Sequence, residues 1–256
     1  MPVRLVNVVF MAADPEELAD FWDGEVEMWH QWIPGPGEEY RILPDEEDEG
    51  TLELTFAQAP EPREKVGKNR IHLDMNTFGM HDYQQRYDDR LKYTETRPLD
   101  IGQGELVPWT VYPDPEGNEF CVLKPRDRYK NSGALAAVVI DCADPARLAA
   151  FWSAVTGWPV VDDEPAFAAL RSPETEEGPF IEFVRVDGRT PAPSPVMLGL
   201  ESYYPHQHDA DVAWLESLGA KKVRRHDGDV SYTIVADPEG NEFRVVIPVW
   251  PPPPRR

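Results

Sequence analysis

The heptapeptide Asp-Pro-Glu-Gly-Asn-Glu-Phe occurs at Asp114–Phe120 and again, 123 positions later, at Asp237–Phe243. An aromatic pair that follows an Asp-Pro dipeptide is repeated in the same order, as Phe21-Trp22 and Phe151-Trp152, at an offset of 130 positions. Two landmarks at nearly the same offset indicate an internal duplication into tandem domains rather than an array of short repeats. We predict domain 1 at residues 1–127, a linker at 128–134, domain 2 at 135–249 and a Pro-rich tail at 250–256.

The composition argues against nucleic acid and membrane surfaces as partners. Of the 256 residues, 25 are Lys or Arg and 47 are Asp or Glu, which gives a formal net charge of −22. Phosphate groups bind clustered basic side chains, so this acidic chain is expected to repel them. The two cysteines, Cys121 and Cys142, fall one in each copy and offer no disulfide framework, which predicts a reducing, cytoplasmic location. The apolar start Leu5–Ala13 recurs in mid-chain at Leu135–Ala143, so we interpret it as a strand rather than a targeting segment.

Each copy has the sequence pattern of an α+β domain. An apolar, β-rich run is followed by a helix start at Asp14-Pro15 and at Asp144-Pro145, where Asp is the N-cap and Pro the first helical residue. Further apolar strands follow, and a second helix is predicted near residues 80–93 in copy one and 208–218 in copy two. This order predicts four β-α-β-β-β units, two in each copy. The repeated Asp-Pro-Glu-Gly-Asn segment is interpreted as a hairpin turn.

These motifs, together with Lys68–Asp74, resemble the glyoxalase-like branch of the vicinal oxygen chelate superfamily. That superfamily includes glyoxalase I, bleomycin-resistance proteins and extradiol dioxygenases. The resemblance covers both copies and implies two tandem domains, each built of paired βαβββ units that form a cupped mixed sheet. In the metal-dependent members, four strands of the cup each supply one ligand to a divalent ion. Because the superfamily holds isomerases, dioxygenases and drug-sequestering proteins, the resemblance predicts the fold more narrowly than the function.

The resemblance also implies where a metal would bind. The four ligand positions correspond to Asn7, Glu53, His72 and Cys121 in copy one, and to Ala137, Glu182, Met197 and Arg244 in copy two. Alanine and arginine do not ligate metals, so copy two is expected to hold none. Copy one has three zinc-type ligands, but asparagine is a poor fourth ligand. We therefore expect no metal cofactor, with one divalent metal on His72, Glu53 and Cys121 as the alternative.

Strand alternation predicts which side chains face the cup without reference to a metal. In copy one the cup-facing set is polar and rich in acids: Asn7, Glu53, His72, Asp74, Glu119 and Cys121. Such a set would bind a cationic or hydroxylated small molecule, or would catalyse proton transfer through His72 with Glu53 or Asp74. The alternative is a structural role, in which His72 and Asp74 bond with neighbouring side chains of the same strand start, Asn69 and Arg70, or with the backbone.

Four further side chains are candidate ligand contacts. Arg244 stands where copy two has lost a metal ligand, and it either forms a structural ion pair with Glu182 or binds an anionic group of the ligand. Trp29 and Trp32 lie in a segment that copy two lacks in this form, and they are candidates for stacking on a flat molecule. Trp109 is expected near the mouth of the same cup.

Two functions are consistent with these residues. The first is a metal-independent binding protein that sequesters an antibiotic or a metabolite, as the metal-free resistance members of the superfamily do. The second is a lyase or isomerase that uses the domain 1 cup, with or without a divalent metal. The loss of metal ligands favours binding, whereas the contrast between the copies favours a single working cup. One chain supplies internally the pairing that single-copy relatives obtain by dimerising, which predicts a monomer.

Overall fold

Three α-helices and fifteen strands make up the described part of the chain. The computed structural model describes residues 1–25, 30–44, 52–60, 65–78, 96–104, 106–173, 178–188 and 193–249. The helices are α1 (Pro15–Glu25), α2 (Pro145–Thr156) and α3 (His208–Ser217). The strands are β1 (Val3–Ala12), β2 (His30–Trp32), β3 (Tyr40–Leu43), β4 (Glu53–Gln58), β5 (Ile71–Met75), β6 (Trp109–Pro113), β7 (Glu119–Leu123), β8 (Leu135–Cys142), β9 (Val160–Glu164), β10 (Phe167–Arg171), β11 (Phe180–Arg185), β12 (Val196–Ser202), β13 (Lys221–His226), β14 (Tyr232–Ala236) and β15 (Glu242–Val246).

The predicted β-α-β-β-β order is present in three of the four units. Units 1, 3 and 4 are β1-α1-β2-β3-β4, β8-α2-β9-β10-β11 and β12-α3-β13-β14-β15. In unit 2 the described elements are β5, β6 and β7, and the helix predicted near residues 80–93 lies outside the described residues, as does the tail. The α+β class and the paired βαβββ units in mixed sheets are confirmed.

Each sheet combines strands from both copies. Sheet A has the order β13-β14-β15-β12-β1-β4-β3-β2, so unit 1 of copy one is continuous with unit 4 of copy two. Sheet B has the order β6-β7-β5-β8-β11-β10-β9, which joins unit 2 to unit 3. The seams are the antiparallel pairs β1 with β12 and β5 with β8. The units therefore pair between the copies, whereas the sequence predicted that both units of a cup come from one copy.

A shared apolar core lies on one side of both sheets. It contains Phe10 and Leu54 of sheet A, Leu73 and Phe183 of sheet B, and the helix residue Trp152, all almost fully buried. Alternate residues of each strand point to the opposite face, which we call the open face. Two separate clusters cover the open faces, one on sheet A around Val9 and one on sheet B around Val139. The alternation predicted for β1, β4, β5 and β7 is therefore confirmed.

The repeated Asp-Pro-Glu-Gly-Asn segment does more than turn the chain. In copy one, Asp114 Oδ1 accepts hydrogen bonds from the backbone N–H groups of Glu116 and Asn118, which closes the turn. The Glu116 carboxylate reaches away from the turn and accepts the N–H groups of Ala13 and Asp14, at 2.8 and 2.9 Å. Because those groups immediately precede α1, the turn clamps the start of that helix. Copy two repeats the contact, in which Glu239 accepts from Ala143 and Asp144.

The two repeated motifs also bond directly to each other. The Trp22 indole N–H donates to Asp114 Oδ2 at 3.4 Å, and Trp152 donates to Asp237 Oδ2 at 3.3 Å. Both tryptophans are 1% exposed, so each indole N–H needs a partner in the core. Each turn thus ties the two units of its own copy together, while the sheets tie each copy to the other.

The predicted linker contributes to the fold. Asp127–Tyr129 forms one turn of 3-10 helix, and Tyr129 is buried against the open face of sheet B. Gly133 adopts a positive φ of 65° two residues before β8 begins. Among the described residues, no helix combines the length and apolar character needed to cross a membrane.

Candidate functional site

The structure divides the predicted site between the two sheets. Asn7 and Glu53 lie on sheet A, whereas His72, Asp74 and Cys121 lie on sheet B. The expectation that all of them share one concave face is therefore wrong. Two combinations that depended on this expectation are also wrong: His72 acting with Glu53, and a metal held by His72, Glu53 and Cys121. The physical reason is the pairing of units between copies, which short-range strand alternation does not reveal.

The open face of sheet A is filled by a buried ion pair. The Arg244 guanidinium, 2% exposed, donates from Nη1 and Nη2 to the two carboxylate oxygens of Glu39, each at 2.7 Å. The predicted pair of Arg244 with Glu182 is wrong, since Glu182 lies on sheet B. Arg244 also stands 5.6 Å from the ring centroid of Tyr232. A bidentate pair of this kind neutralises the guanidinium and occupies the position of a metal ligand.

The remaining predicted residues of sheet A have structural partners. Asn7 is buried and donates from Nδ2 to Thr55 Oγ1 at 2.8 Å. Glu53 is partly exposed and lies 3.8 Å from Arg41. The strand register places Glu53 opposite Asn7, whereas Glu182 lies opposite Val139. Val139 is the copy-two equivalent of Val9, and Val9 pairs with Thr55. Glu182 therefore corresponds to Thr55 and not to Glu53, which corrects the counterpart named from sequence.

The predicted tryptophans do not gather at one site. Trp29 lies outside the described residues. Trp32 is on the edge strand β2 of sheet A, where its indole donates to Glu38 at 3.2 Å and the Arg41 guanidinium lies 5.3 Å from its ring. Trp109 is on the edge strand β6 of sheet B and packs against the open-face cluster. Of the described tryptophans proposed as ligand contacts, Trp109 alone is on the sheet that carries His72.

The open face of sheet B brings three chemically active side chains together. His72 and Asp74 are two residues apart on β5, and Asp74 lies beside Cys121 in the parallel register of β5 with β7. One potential ligand atom from each of the three lies within 4.8 Å of the others. Asn69 and Arg70, considered as alternative partners, donate instead to Asn118 and Asn241. The three residues therefore form a cluster of their own, which we call the β5–β7 cluster.

Two atoms of the β5–β7 cluster are buried without hydrogen-bond partners among the described residues. They are His72 Nδ1 and Asp74 Oδ1. His72 Nε2 stands 3.5 Å from Asp74 Oδ1, at the limit of a hydrogen bond. The two residues are 8% and 9% exposed, so water reaches them poorly. Buried polar atoms are nearly always satisfied in folded proteins, and such exceptions point to a ligand, an ion or an ordered water.

Burial also sets the charge of the β5–β7 cluster. Desolvation, followed by the nearby Lys68, lowers the pKa of His72 to about 3. Desolvation, followed by Glu182, raises the pKa of Asp74 to about 7. Burial and then Asp74 raise the pKa of the Cys121 thiol. Although His72 and Asp74 are close enough for an ion pair, both pKa shifts favour the neutral forms, so we treat the contact as one between neutral groups.

Polar side chains from the predicted linker lie beside the β5–β7 cluster. Tyr129 donates its hydroxyl to Glu182 at 3.0 Å, and the Arg128 guanidinium contacts both Glu182 and Asp162. Arg128 also lies 4.3 Å from the centroid of the Phe180 ring. Arg128 and Tyr129 fall in the stretch that the sequence predicted to be a linker without a functional role. The sequence feature that could have indicated a buried position there was a single tyrosine inside a charged stretch.

Glu119, another predicted ligand contact, has a structural role. It is buried at the start of β7, where it pairs with Lys65 and accepts the backbone N–H of Asn69 at 3.1 Å. Asp141 similarly pairs with Lys68 at 2.7 Å. Both acids therefore fix the segment that leads into β5.

The two faces differ in whether they fit a metal ion. On sheet A the ligand positions hold Asn7, Glu53, Met197 and the paired Arg244, of which Glu53 alone is a good metal ligand. On sheet B the β5–β7 cluster offers a nitrogen, an oxygen and a sulfur donor, two of whose atoms lack hydrogen-bond partners among the described residues. This donor set suits a divalent ion such as zinc.

Comparison with solved structures finds the same architecture in proteins of low sequence identity. Glyoxalase I from Zea mays superposes with a TM-score of 0.65 at 15% identity, over 95% of this chain and 92% of that chain. A putative dioxygenase from Bacillus subtilis subsp. subtilis str. 168 superposes with a TM-score of 0.59 at 14% identity, over 95% and 84%. At these identities the likeness shows the fold alone.

Comparison of sequences identifies the family. No curated protein matches the chain. The family model described as a glyoxalase-like domain matches twice, at residues 7–123 and 137–246. The two matches fall on the two copies of the duplication and together cover most of the chain. The protein therefore belongs to the glyoxalase-like family, as a two-domain member of the vicinal oxygen chelate superfamily.

Proposed function

We propose that the protein binds and sequesters a small, flat, uncharged, hydroxylated molecule on the open face of sheet B. The observation that carries this proposal is the pair of buried atoms without described partners, His72 Nδ1 and Asp74 Oδ1. A ligand hydroxyl would donate to these atoms and remove the unfavourable free energy of leaving them unsatisfied. The proposal places the polar end of the ligand at the β5–β7 cluster.

Apolar side chains around the cluster would hold the body of the ligand. The open-face cluster of sheet B includes Val111, Leu123, Val139 and Phe180, with Trp109 packed against it. Apolar walls around a few convergent polar groups are typical of small-molecule sites. An anionic ligand would find no free positive charge there, because Asp74 favours its neutral form and the Arg128 guanidinium is already bonded to Glu182.

Sheet A is the less suitable face. Its central guanidinium is already neutralised by Glu39, and Asn7 is bonded to Thr55. An anionic ligand at Arg244 would have to displace a bidentate carboxylate. This competition argues against the sequence-based alternative in which Arg244 binds an anionic group.

Calorimetric titration with phenol, catechol and benzoate would test the proposal. We expect catechol and phenol to bind and benzoate not to bind. Asp74→Ala should weaken binding roughly 5- to 150-fold, the loss expected from about 1–3 kcal/mol of buried hydrogen bonding. Met197→Leu changes the residue of sheet A that corresponds to His72 and is the matched control. Equal binding by wild type and Asp74→Ala, or loss of binding in Met197→Leu, would reject the site.

Proton transfer is a second candidate function, favoured by one observation. A carboxyl group with a pKa near 7 beside a neutral imidazole can both accept and donate a proton at neutral pH. This would make Asp74 the acid–base group of an isomerase or lyase, with His72 oriented beside it. The test is exchange of the carbon-bound protons of hydroxyacetone in D₂O, followed by NMR. Exchange that is faster with protein and lost in Asp74→Asn would support catalysis, and exchange at the buffer rate would favour sequestration alone.

A further inference from the structure

The two sheets end on strands of opposite charge. Among the described strands, β13 lies at one end of sheet A and β9 at one end of sheet B. They hold the same place in their units, since each is the strand that follows the helix. β9 has the sequence Val-Val-Asp-Asp-Glu, whereas β13 has the sequence Lys-Lys-Val-Arg-Arg-His and contains no acid. Of these two equivalent edges, only β9 shares the acidic character of the chain. We call the side chains of β13 the basic strip.

Part of the basic strip is free to meet a partner. All six residues of β13 are exposed. Lys221 and Lys222 form no ion pair with any residue that the structure describes, whereas Arg224 and Arg225 are paired with acids of the same copy. The two carboxylates that contact Arg225 are 80% and 71% exposed, and ion pairs with such exposed groups are weak. A partner's carboxylates could therefore bind the two lysines and compete for Arg225.

Protection of the sheet edge does not explain why β13 is basic. Charged side chains on an edge strand discourage unwanted pairing, because a second strand would have to bury them. Charges of either sign serve this purpose, and β9 achieves it with three acids. Protection alone therefore gives no reason for one basic edge in a chain of net charge −22. The sign of the charge on β13 is the feature that points to a partner.

The size of the basic strip limits what it can bind. A strand of six residues is about 20 Å long. At physiological ionic strength charges are screened over about 8 Å, so a group that lies on the strip responds mainly to the strip itself. All 47 acidic residues of the chain lie outside β13. A short acidic segment would fit within the strip, whereas nucleic acid or an anionic membrane would extend over the acidic surface around it.

We propose that the basic strip docks a short acidic segment of a partner protein, which lies extended along β13. The segment is recognised through its side chains rather than as an added strand. The register of β13 with β14 shifts between Lys222 and Arg224, and such a bulge disrupts regular strand pairing. This inference goes beyond the proposed function and is independent of it, because β13 is on sheet A and the proposed ligand site is on sheet B.

Fluorescence anisotropy with a rhodamine-labelled hexaglutamate peptide would test the proposal on the full chain. We expect saturable binding at low ionic strength that weakens as salt is added. Lys221→Glu combined with Lys222→Glu should weaken this binding roughly 10-fold or more, because two attractions become repulsions. No binding at low ionic strength, or equal binding by wild type and this double variant, would overturn the proposal.

A matched double variant separates the basic strip from the overall charge. Lys124→Glu combined with Lys130→Glu makes the same change in net charge at two exposed lysines outside β13. It should bind hexaglutamate as wild type does. An equal loss of binding in both double variants would show that net charge governs the interaction, and would reject the strip. Lys221→Gln combined with Lys222→Gln removes the charges without reversing them, and should give an intermediate loss if the lysines act through charge.

Other occupants of the basic strip would give different results. A thymidine oligonucleotide and phosphatidylserine vesicles should bind more weakly than hexaglutamate, because they extend over the acidic surface. If either bound more tightly than hexaglutamate and lost binding in the Lys221→Glu and Lys222→Glu double variant, the acidic protein segment would be rejected as the occupant. A mass above 29.1 kDa that returned to this value in the same variant would assign the strip to a second copy of the chain instead.

Discussion

The Arg244 guanidinium donates two hydrogen bonds of 2.7 Å to Glu39, a residue 205 positions away in the sequence. This pair joins the last strand of copy two to a loop of copy one on the open face of sheet A. The Arg244 side chain is 2% exposed and that of Glu39 is 18% exposed. The arginine is therefore the partner that depends more on the pair, because water can still solvate the carboxylate in part.

Removing only the carboxylate should destabilise the fold strongly. Glu39→Ala leaves a buried guanidinium without its counter-charge, and we expect a loss of about 3–5 kcal/mol in the free energy of unfolding. Arg244→Met should cost less, and the double variant Glu39→Ala with Arg244→Met should recover much of the stability. Urea denaturation of the four proteins measures this coupling. Strictly additive losses would contradict the pair.

Gly199 should not tolerate a side chain while Asn7 faces it. A Cβ at position 199 would stand 1.7 Å from Asn7 Oδ1 and 3.1 Å from a methyl group of Val9. We expect Gly199→Ala to destabilise the protein by about 1–3 kcal/mol, as overpacking of a core does. Asn7→Ala should relieve most of that loss in the double variant. Thermal denaturation of both single variants and the double variant is the measurement, and a failure of Asn7→Ala to rescue would refute the contact.

The repeated turn should stabilise both copies through one glutamate each. Glu116→Ala removes the acceptor for the N–H groups of Ala13 and Asp14, and Glu239→Ala does the same in copy two. Each change should cost about 1–2 kcal/mol, since the freed groups regain water at the partly exposed helix start. Amide hydrogen exchange should become faster at those two positions only. Glu164→Ala, an exposed change on β9, is the control and should leave stability and exchange unchanged.

Stability should depend on pH through Asp74 and His72 in opposite directions when the protein is free of metal. The pKa of Asp74 is raised to about 7, above its value of roughly 4 in the unfolded chain. The folded state then holds a proton that the unfolded state has lost, so stability falls as the pH rises from about 4 to about 7. The pKa of His72 is lowered to about 3 from roughly 6.5, so stability falls as the pH drops from about 6.5 to about 3.

Two substitutions separate these contributions. Asp74→Asn should gain stability relative to wild type as the pH rises from about 4 to about 7, whereas His72→Gln should gain relative to wild type as the pH falls from about 6.5 to about 3. Urea unfolding with EDTA at each pH is the measurement. If the difference in the free energy of unfolding between wild type and Asp74→Asn stays constant from about pH 4 to about pH 7, the Asp74 carboxyl group titrates normally.

The protein should be a monomer in solution. Strands of both copies already complete sheets A and B within one chain, so no second chain is needed at the β1–β12 or β5–β8 seam. Light scattering should therefore give a mass of 29.1 kDa, that of a single chain. A mass of twice that value would show that another surface associates.

Local sequence predicted much of the fold because its signals act over short distances. The Asp144-Pro145 start of α2 has the predicted N-cap, in which Asp144 accepts the N–H of Arg147 at 3.1 Å. Alternation placed Cys121 on the face opposite the shared core, as observed. The duplication itself was visible in two repeated motifs. Such features depend on backbone preferences and on the two-residue period of a strand, which neighbouring residues determine.

The same reasoning could not predict which residues lie together at the candidate site. Asn7 and His72 belong to one copy but lie on different sheets, and Arg244 finds Glu39 rather than Glu182. These outcomes depend on which strand edges meet at the β1–β12 and β5–β8 seams. The sequence by itself determined the units, their order and the face on which each side chain stands. Tertiary structure alone decided which units share a sheet, because similar repeats offer similar strand edges and packing across the whole chain decides between them.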